Sequence, residues 1–321
     1  MSENKERKTE FAESLAILTA DDICPQKKKK HSATAMLFDN LRYILLAVCG
    51  VLLAVSIINV ALSLKGYADQ DRIYDSVGDF VMNNDGVEMM FSSPDMPITP
   101  DYKTSLQLTA EDLSDYLNPA AVNKEYARIK IKLADLKSQY PDLYGWISVS
   151  GTNISYPIMQ AEDNDYYLDH SYTGASLGAG AIFADYRCDR TLTDNKNLIL
   201  YGHHMSNSSM FHQLDNFLQE SFYKNNGEVK IYTLDGMYTY KIFSIYQTTM
   251  YYPYITTYFE NDESFIQFAE TIKGNSIYGK ENVEFTPESK ILTLSTCNNR
   301  YQSGRLAVHA VLIDSYSNPE A

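Results

Sequence analysis

The sequence has few cysteines for its length, with four in 321 residues, and no two of them have the Cys-x-x-Cys spacing of zinc and redox motifs. A disulfide framework is also unexpected, because a chain of this length can bury a core without covalent cross-links. Only Cys188 and Cys297 follow the long apolar segment described below. A bridge between these two cysteines is the one pairing that the sequence leaves open.

The sequence also lacks an excess of basic residues. It has 27 Lys+Arg against 41 Asp+Glu, which gives a formal net charge of −14. A protein that binds nucleic acid needs a basic surface to neutralise phosphates, so the net charge predicts that nucleic acid is not a partner. No internal repeat or low-complexity segment is evident, so a repeat architecture is not expected either.

Charge is absent altogether from Tyr43 to Leu64, which reads YILLAVCGVLLAVSIINVALSL. As a helix rising about 1.5 Å per residue, this segment is long enough to cross a hydrocarbon core roughly 30 Å thick. A buried core helix and a cleaved signal peptide are the alternatives, but the segment is long for a signal peptide. Basic residues at 27–30 and Arg42 precede it, so the positive-inside rule predicts a cytoplasmic N-terminus.

These features divide the chain into four predicted parts. Residues 1–42 form a cytoplasmic tail, residues 43–64 a single transmembrane helix, residues 65–120 an extracytoplasmic stalk, and residues 121–321 the main domain. That domain begins with an amphipathic helix between Ala121 and Tyr140, where apolar residues recur every three or four positions. Pro141 ends this helix.

Short β-rich runs follow Tyr144, and Gly, Asn and Asp separate them. There are about eight: GWISVS, ISYPIMQ, AGAIFADY, NLILYGHH, EVKIYTL, MYTYKIFSIYQTTM, KILTLSTC and RLAVHAVLI. So many short strands in fewer than two hundred residues indicate an antiparallel barrel or sandwich rather than a parallel α/β sheet. Glu263 to Ile272 has helical spacing and predicts one inserted helix.

The last two of these runs place a cysteine and an arginine close together. Strand alternation puts Leu292 and Leu294 on a core face and Cys297 on the opposite face, together with Thr293 and Ser295. In the next run the same alternation puts Arg305, Ala307 and His309 on the non-core face. If the two runs form a hairpin, Cys297 and Arg305 are neighbours, and a nearby cation favours the nucleophilic thiolate.

A cysteine nucleophile needs a partner for proton transfer, and the residues alone leave three histidines as candidates. His203 and His204 end the strand-like run NLILYGHH, and His309 shares a predicted face with Arg305. Consecutive strand residues point to opposite faces, so His203 and His204 are not expected to share a metal ion. We therefore predict no metal site and no cofactor.

At these residues the chain resembles class B sortases, the membrane-anchored cysteine transpeptidases of Gram-positive bacteria. The resemblance extends from about Ala121 to Ile313. It is carried by Thr293-Leu294-Ser295-Thr296-Cys297, Tyr201-Gly202-His203, Ser209-Met210-Phe211, Arg305-Leu306-Ala307-Val308, Gly145-Trp146-Ile147, Gly151-Thr152-Asn153-Ile154 and Asn164-Asp165-Tyr166-Tyr167-Leu168. The implied fold is mainly β: a sortase-type closed β-barrel of about eight strands with an N-terminal helix and one inserted helix, preceded by the single transmembrane helix.

The resemblance also implies roles for individual residues. Cys297 would attack the threonine carbonyl of a sorting signal, His203 would transfer protons, and Arg305 would bind the substrate and stabilise the oxyanion. Arg300 remains an alternative to Arg305. The resemblance further implies a set of peptide-binding residues: Ser295, Asn164, Leu168, Tyr254 and Ile255.

The implied substrate is a surface-protein signal of the Asn-Pro-x-Thr-Asn/Gly type, cleaved after Thr. The Thr would be joined to an amine of a peptidoglycan precursor of the lipid II type, which would anchor the protein to the cell wall. The enzyme would sit in the cell membrane, in contact with lipid through residues 43–64. Three alternatives stay open: a pilus polymerase that uses a lysine acceptor, a thiol protease that hydrolyses its substrate, and a catalytically silent membrane-tethered binding protein.

Overall fold

The computed structural model of the protein describes residues 33–82, 124–278, 283–297 and 304–317. Most of the predicted cytoplasmic tail, including the basic cluster at 27–30, lies outside these residues, as do residues 83–120 of the predicted stalk and Arg300. The chain separates into two compact units, one up to Ser63 and one from Leu64 onward.

The first helix, α1, is Ala33–Met82, and it belongs in part to each unit. In the first unit, the side chains from Leu41 to Ser63 are exposed. The stretch is long and apolar enough to cross a membrane, and it is the one helix of this kind among the described residues. It is therefore compatible with a membrane anchor.

The part of α1 in the second unit packs as a component of the main domain. Tyr74, Val77 and Val81 are buried at helical spacing, and the Tyr74 hydroxyl donates a 2.6 Å hydrogen bond to the carbonyl oxygen of Gly180. Where the sequence analysis predicts a stalk from residue 65, the chain is helical as far as Met82. The apolar residues responsible were not recognised because polar and acidic residues surround them in the sequence.

The second helix, α2, is Lys124–Gln139 and lies within the predicted range, of which residues 121–123 are outside the described residues. Its buried side chains include Tyr126, Ile129, Leu133 and Leu136, as the apolar spacing predicts. The helix stops before Pro141, which cannot continue a helical hydrogen-bond ladder.

Eight strands close into a barrel, which confirms the predicted fold class. Among the described residues, the strands and the α-helices after α2 are, in chain order, β1 Leu143–Val149, β2 Ser155–Met159, β3 Ile182–Ala184, β4 Asn197–Gly202, α3 Glu220–Asn225, β5 Glu228–Tyr232, β6 Gly236–Thr249, α4 Asp262–Gly274, β7 Ile291–Cys297 and β8 Gly304–Ser317. Short 3₁₀ helices occur at Tyr166–Leu168, Leu192–Asp194 and Phe211–Leu218. Around the barrel the order is β1-β2-β3-β4-β7-β8-β6-β5.

The barrel is not wholly antiparallel, which corrects one expectation from the sequence. Strand β2 pairs with β3 in parallel, and β4 pairs with β7 in parallel. Parallel neighbours need a long crossover connection. Between β4 and β7 the chain makes this crossover through β5, β6 and α4, which a list of strand-like runs does not reveal.

Helix α4 confirms the helix predicted between Glu263 and Ile272. Its first turn is capped by Asn261, whose side chain accepts a hydrogen bond from the backbone N–H of Ser264. In turn, the Ser264 hydroxyl oxygen accepts a hydrogen bond from the backbone N–H of Asn261. This reciprocal arrangement satisfies two N–H groups that have no partner within the helix. Helix α4 covers the outer side of the β6, β7 and β8 strands with a second apolar cluster that includes Phe265, Ala269 and Ile272.

This second cluster corrects the predicted non-core face of the last two strands. Thr293, Ser295, Ala307 and His309 are all buried. Alternation separates the two faces of each strand correctly, but both faces are covered, one by the barrel interior and the other by α4 and the segment before it. A strand with two buried faces still alternates when one face carries small and polar side chains.

Candidate active site

Three strand ends bring the predicted catalytic positions to one place on the barrel. In the antiparallel β7–β8 pair, Cys297 is the Cα partner of Arg305. On the other side of β7, the parallel β4–β7 pair ends with Gly202 opposite Thr296. The residues that come next in the chain are His203, just after β4, and Cys297, the last residue of β7. The predicted register of Cys297 with Arg305 is confirmed. The pairing of β4 with β7 adds His203, which is distant in the sequence.

The imidazole of His203 is held by the backbone of another loop. Its Nε2 atom lies 2.7 Å from the carbonyl oxygen of Leu168. A carbonyl can only accept, so Nε2 carries the proton of this hydrogen bond and Nδ1 is the nitrogen left for proton exchange. The carbonyl of His203 itself accepts a hydrogen bond from the backbone N–H of Phe211, which fixes the chain just after β4.

His204 lies in a different environment from its neighbour. Its side chain is 9% exposed, and its Nε2 atom is 2.9 Å from Oδ2 of Asp215. The imidazole packs against the ring of His212, with the ring centroids 4.1 Å apart. The two consecutive histidines therefore point to separate surroundings, as strand alternation predicts, and His204 supports the loop that follows β4.

His309 is fully buried in a chain of hydrogen bonds. The Thr293 hydroxyl donates to Oδ1 of Asn197 over 2.7 Å, so it accepts from Nδ1 of His309 over 2.9 Å. The other ring nitrogen, Nε2, accepts from the Tyr246 hydroxyl at 3.0 Å. Burial lowers the pKa of His309 to about 3, so the ring is neutral and both nitrogens are occupied within the protein.

Arg305 begins β8 as a half-buried residue. Its Nη1 atom donates a 2.8 Å hydrogen bond to the carbonyl oxygen of Gly304. Cys188, the other cysteine of the main domain, is a buried free thiol. Burial raises its pKa to about 12, so it does not compete as a nucleophile. The Cys188–Cys297 bridge that the sequence left open is not formed.

Two predicted peptide-binding residues, Asn164 and Leu168, lie between β2 and β3. The Leu168 side chain is 42% exposed, and its carbonyl oxygen holds His203. The Asn164 amide is used inside the protein: its Nδ2 donates to Asp185 over 3.2 Å and its Oδ1 accepts from the backbone N–H of Tyr186.

The other three predicted peptide-binding residues are Ser295 on β7 and the neighbours Tyr254 and Ile255 between β6 and α4. Ser295 and Tyr254 are buried, and their hydroxyl oxygens lie 2.8 Å apart. Ile255 is half-buried, and its carbonyl oxygen accepts a 3.1 Å hydrogen bond from Nη2 of Arg187. Tyr254 and Ser295 thus anchor the segment between β6 and α4 to the strand that ends at Cys297.

Asp185 and Arg187, just after β3, were not predicted as site residues from the sequence. The Asp185 side chain is fully buried and forms a salt bridge with Arg187 at 2.7 Å. Burial by itself would raise the pKa of Asp185, but hydrogen bonds from Arg187 and Tyr201 outweigh it and hold that pKa below its ordinary value. The available signal was an Asp-x-Arg sequence directly after an apolar run.

No group of three or more His, Cys, Asp or Glu side chains is arranged to hold a metal ion in the described parts of the chain. His204 with Asp215 supplies only two potential ligands, and zinc sites in proteins use three or four. The residues around the three strand ends instead combine a thiol position, an imidazole and a guanidinium. These are the groups expected for nucleophilic acyl transfer.

Comparison with known proteins gives the same result over most of the main domain. Residues 147–313 match the family described as Sortase domain. Sortase B of Listeria monocytogenes is 35% identical over 200 residues, which cover 62% of this chain and 80% of that protein.

Solved structures of sortase B agree with the barrel. A mutant form of Clostridium perfringens sortase B has a TM-score of 0.56 and 33% identity, covering 59% of this chain and 90% of that one. A Staphylococcus aureus sortase B–substrate complex has a TM-score of 0.53 and 35% identity, covering 58% of this chain and 86% of that one. The chain belongs to the sortase family, and its relatives place it among the class B cysteine transpeptidases.

Proposed function

We propose that the protein is a membrane-anchored transpeptidase in which Cys297 is the nucleophile, His203 the proton-transfer group and Arg305 the oxyanion-stabilising residue. The observation that carries this assignment is the register of three adjacent strands. Cys297 pairs with Arg305 across β7 and β8, and His203 follows the β4 residue opposite Thr296. His309 is not assigned a role in catalysis, because it is buried, neutral and already hydrogen-bonded.

In the first half-reaction, the Cys297 thiolate attacks the carbonyl carbon of threonine in a sorting signal. A carbon–sulfur bond forms, and negative charge develops on the carbonyl oxygen. The positively charged guanidinium of Arg305 stabilises this charge. The peptide C–N bond then breaks, and the leaving amine takes a proton from His203. Because Nε2 of His203 is hydrogen-bonded to the carbonyl oxygen of Leu168, the transferred proton leaves from Nδ1.

In the second half-reaction, an acceptor amine attacks the thioester carbonyl. Nδ1 of His203 removes a proton from the attacking amine, a new amide bond forms, and the carbon–sulfur bond breaks to restore the thiolate. The proton balance closes over the two steps, so no cofactor is consumed.

The proposed substrate is a surface protein with a signal of the Asn-Pro-x-Thr-Asn/Gly type, and the proposed acceptor is an amine of a peptidoglycan precursor. The relative solved with a bound substrate belongs to the same class, which supports a peptide substrate here. We further propose that α1 anchors the enzyme in the membrane with the catalytic domain outside the cell. The basic residues at 27–30 and Arg42 before the apolar segment support that orientation.

Incubation of the soluble domain with a fluorogenic Asn-Pro-x-Thr peptide, with and without amine acceptors, tests this function. We expect a thioacyl adduct on Cys297 by mass spectrometry, and a peptide–amine product when the acceptor is present. The acceptors to compare are a peptidoglycan-type amine and a lysine-containing pilin peptide.

The outcomes separate the alternatives. No adduct on Cys297 with any sorting-signal peptide would refute the enzyme assignment and favour a binding protein. Hydrolysed peptide without an amine product, even at high acceptor concentration, would indicate a protease. Preference for the pilin lysine would indicate a pilus polymerase.

A further inference from the structure

The buried carboxylate of Asp185, directly after β3, is the centre of a polar cluster. Its two oxygens accept five hydrogen bonds. Three come from Arg187, through the backbone N–H at 2.9 Å, Nε at 2.8 Å and Nη2 at 2.7 Å. The others come from the Tyr201 hydroxyl at 2.8 Å and from Nδ2 of Asn164 at 3.2 Å.

These bonds connect parts of the chain that are far apart in sequence. Asn164 lies between β2 and β3, and Tyr201 lies on β4 two residues before His203. Arg187 extends the connection, because its Nη2 atom also donates to the carbonyl oxygen of Ile255, in the segment between β6 and α4. The cluster therefore joins the loop of Asn164 and Leu168 to the segment of Tyr254 and Ile255.

A salt bridge of this kind is not needed for folding energy alone. Burying a charge is costly, and replacing a buried ion pair by apolar side chains is often neutral or stabilising. What the planar guanidinium supplies is direction, since its donors have a fixed geometry. Here that geometry sets the separation between Asp185 and the Ile255 carbonyl.

We propose that Asp185 and Arg187 are positioning residues for the peptide-binding site. They would act through Asn164 and Ile255 by fixing the distance between the two segments that receive the sorting signal. The proposal rests on the proposed function, because it assigns the two segments to peptide binding. It predicts that loss of the Arg187 geometry weakens peptide binding while the thiol, the imidazole and their strands stay in place.

The test compares Arg187→Lys and Arg187→Gln with Arg190→Lys as the matched control. Lysine keeps the positive charge at position 187 but lacks the planar set of N–H donors with which a guanidinium binds two acceptors in a fixed geometry. Arg190 lies in the same loop and donates to one carbonyl, that of Gln160, over 3.3 Å. Asp185→Asn, which keeps the size of the side chain and removes its charge, is a fourth variant.

Four measurements are made for each variant, and the last of them is the Tm of thermal unfolding. The first is the pair of kinetic constants KM and kcat for an Asn-Pro-x-Thr-Asn peptide in which position x is a mixture of amino acids. The second is the Kd of the same peptide, labelled with a fluorophore, for each variant combined with Cys297→Ala. The third is the rate at which iodoacetamide alkylates Cys297, followed by mass spectrometry, because a small reagent does not need the peptide site.

We expect Arg187→Lys and Arg187→Gln to raise KM and Kd about tenfold, the scale of one charge-assisted hydrogen bond, with kcat changed less than about twofold. Alkylation of Cys297 should proceed at the wild-type rate, and Arg190→Lys should behave as wild type. Asp185→Asn should change Kd in the same direction, and a lower Tm for that variant alone would leave the Arg187 results decisive.

Unchanged KM and Kd in both Arg187 variants would overturn the positioning role. A fall in kcat, alkylation rate and Tm together would also overturn it, because it would indicate general damage to the barrel. If the wild-type protein binds the peptide but forms no thioacyl adduct, the proposed function fails while the Kd comparison still decides the positioning role.

Discussion

Nε2 of His203 donates a hydrogen bond to the carbonyl oxygen of Leu168, at a distance of 2.7 Å. This contact links a residue proposed for catalysis to a residue proposed for peptide binding. The backbone of the loop thereby sets both the tautomer of the imidazole and its orientation. Movement of the loop that contains Leu168 is therefore expected to displace the His203 imidazole.

Gly180→Ala is expected to disturb this contact. Gly180 has a φ of 58°, a region that glycine adopts readily and alanine does not, and a Cβ atom there would lie 2.6 Å from the carbonyl oxygen of Leu168. We predict a fall in kcat of about tenfold or more from misplacement of the imidazole, measured by peptide turnover. Gly178→Ala is the control, since a Cβ atom at Gly178 meets nothing within 4 Å. Equal kcat values for the two variants would contradict the prediction.

His203→Ala and His204→Ala are expected to have opposite effects on chemistry and stability. Loss of a general acid–base group costs roughly 10²- to 10⁴-fold in rate, so His203→Ala should nearly abolish turnover and leave Tm close to wild type. His204→Ala should keep turnover within several-fold but lower Tm, because its contact with Asp215 is lost. The reverse pattern would refute the assignment of His203.

The buried neutral state of His309 predicts a specific pH dependence of folding stability. Its pKa is about 3 in the folded protein and about 6.5 in an unfolded chain. Between these values the unfolded state binds a proton that the folded state does not, so the free energy of unfolding falls as the pH decreases. The contribution is about 1.4 kcal/mol per pH unit.

His309→Gln isolates this effect because glutamine does not titrate. Urea unfolding near pH 6.5 and near pH 4.5 should show a loss of stability in the wild-type protein that exceeds the loss in the variant by about 2 to 3 kcal/mol. The variant should also retain the wild-type pH–rate profile near neutrality. Parallel stability curves for the two proteins would show that His309 is not held neutral.

The hydrogen bond between Tyr254 and Ser295 is expected to contribute to stability as a pair. Tyr254→Phe or Ser295→Ala removes this buried hydrogen bond, which costs about 0.5 to 1.5 kcal/mol. The double variant should lose less than the sum of the single variants, as measured by urea unfolding in a double-mutant cycle. Strict additivity would mean that the two hydroxyl groups do not interact in solution.

The sequence is sufficient to predict the elements and much of the site. The eight strand-like runs correspond to the eight strands, and α2 and α4 lie where apolar spacing predicts them. The Cys297–Arg305 register follows from alternation within a short hairpin. These features depend on residues close together in the chain, and local patterns report them directly.

Long-range features were not accessible in the same way. The parallel pairing of β4 with β7 and the cover that α4 places over Thr293 and His309 depend on how distant segments meet. The role proposed for Asp185 was hidden in part for the same reason, since its partners Asn164 and Tyr201 come from other segments, whereas Arg187 is only two residues away. The resemblance to class B sortases supplied the choice of His203, which the residues alone left open.

The parallel pairing of β4 and β7 also has a consequence for when the chain becomes reactive. His203 and Cys297 come together only after β5, β6 and α4 have completed the crossover between them, and contacts of such high sequence separation are slow to form. A chain that is still unfolded therefore has not yet brought the position of His203 next to that of Cys297. On the proposed assignment of His203 and Cys297, closure of the barrel is therefore the step that completes the active site.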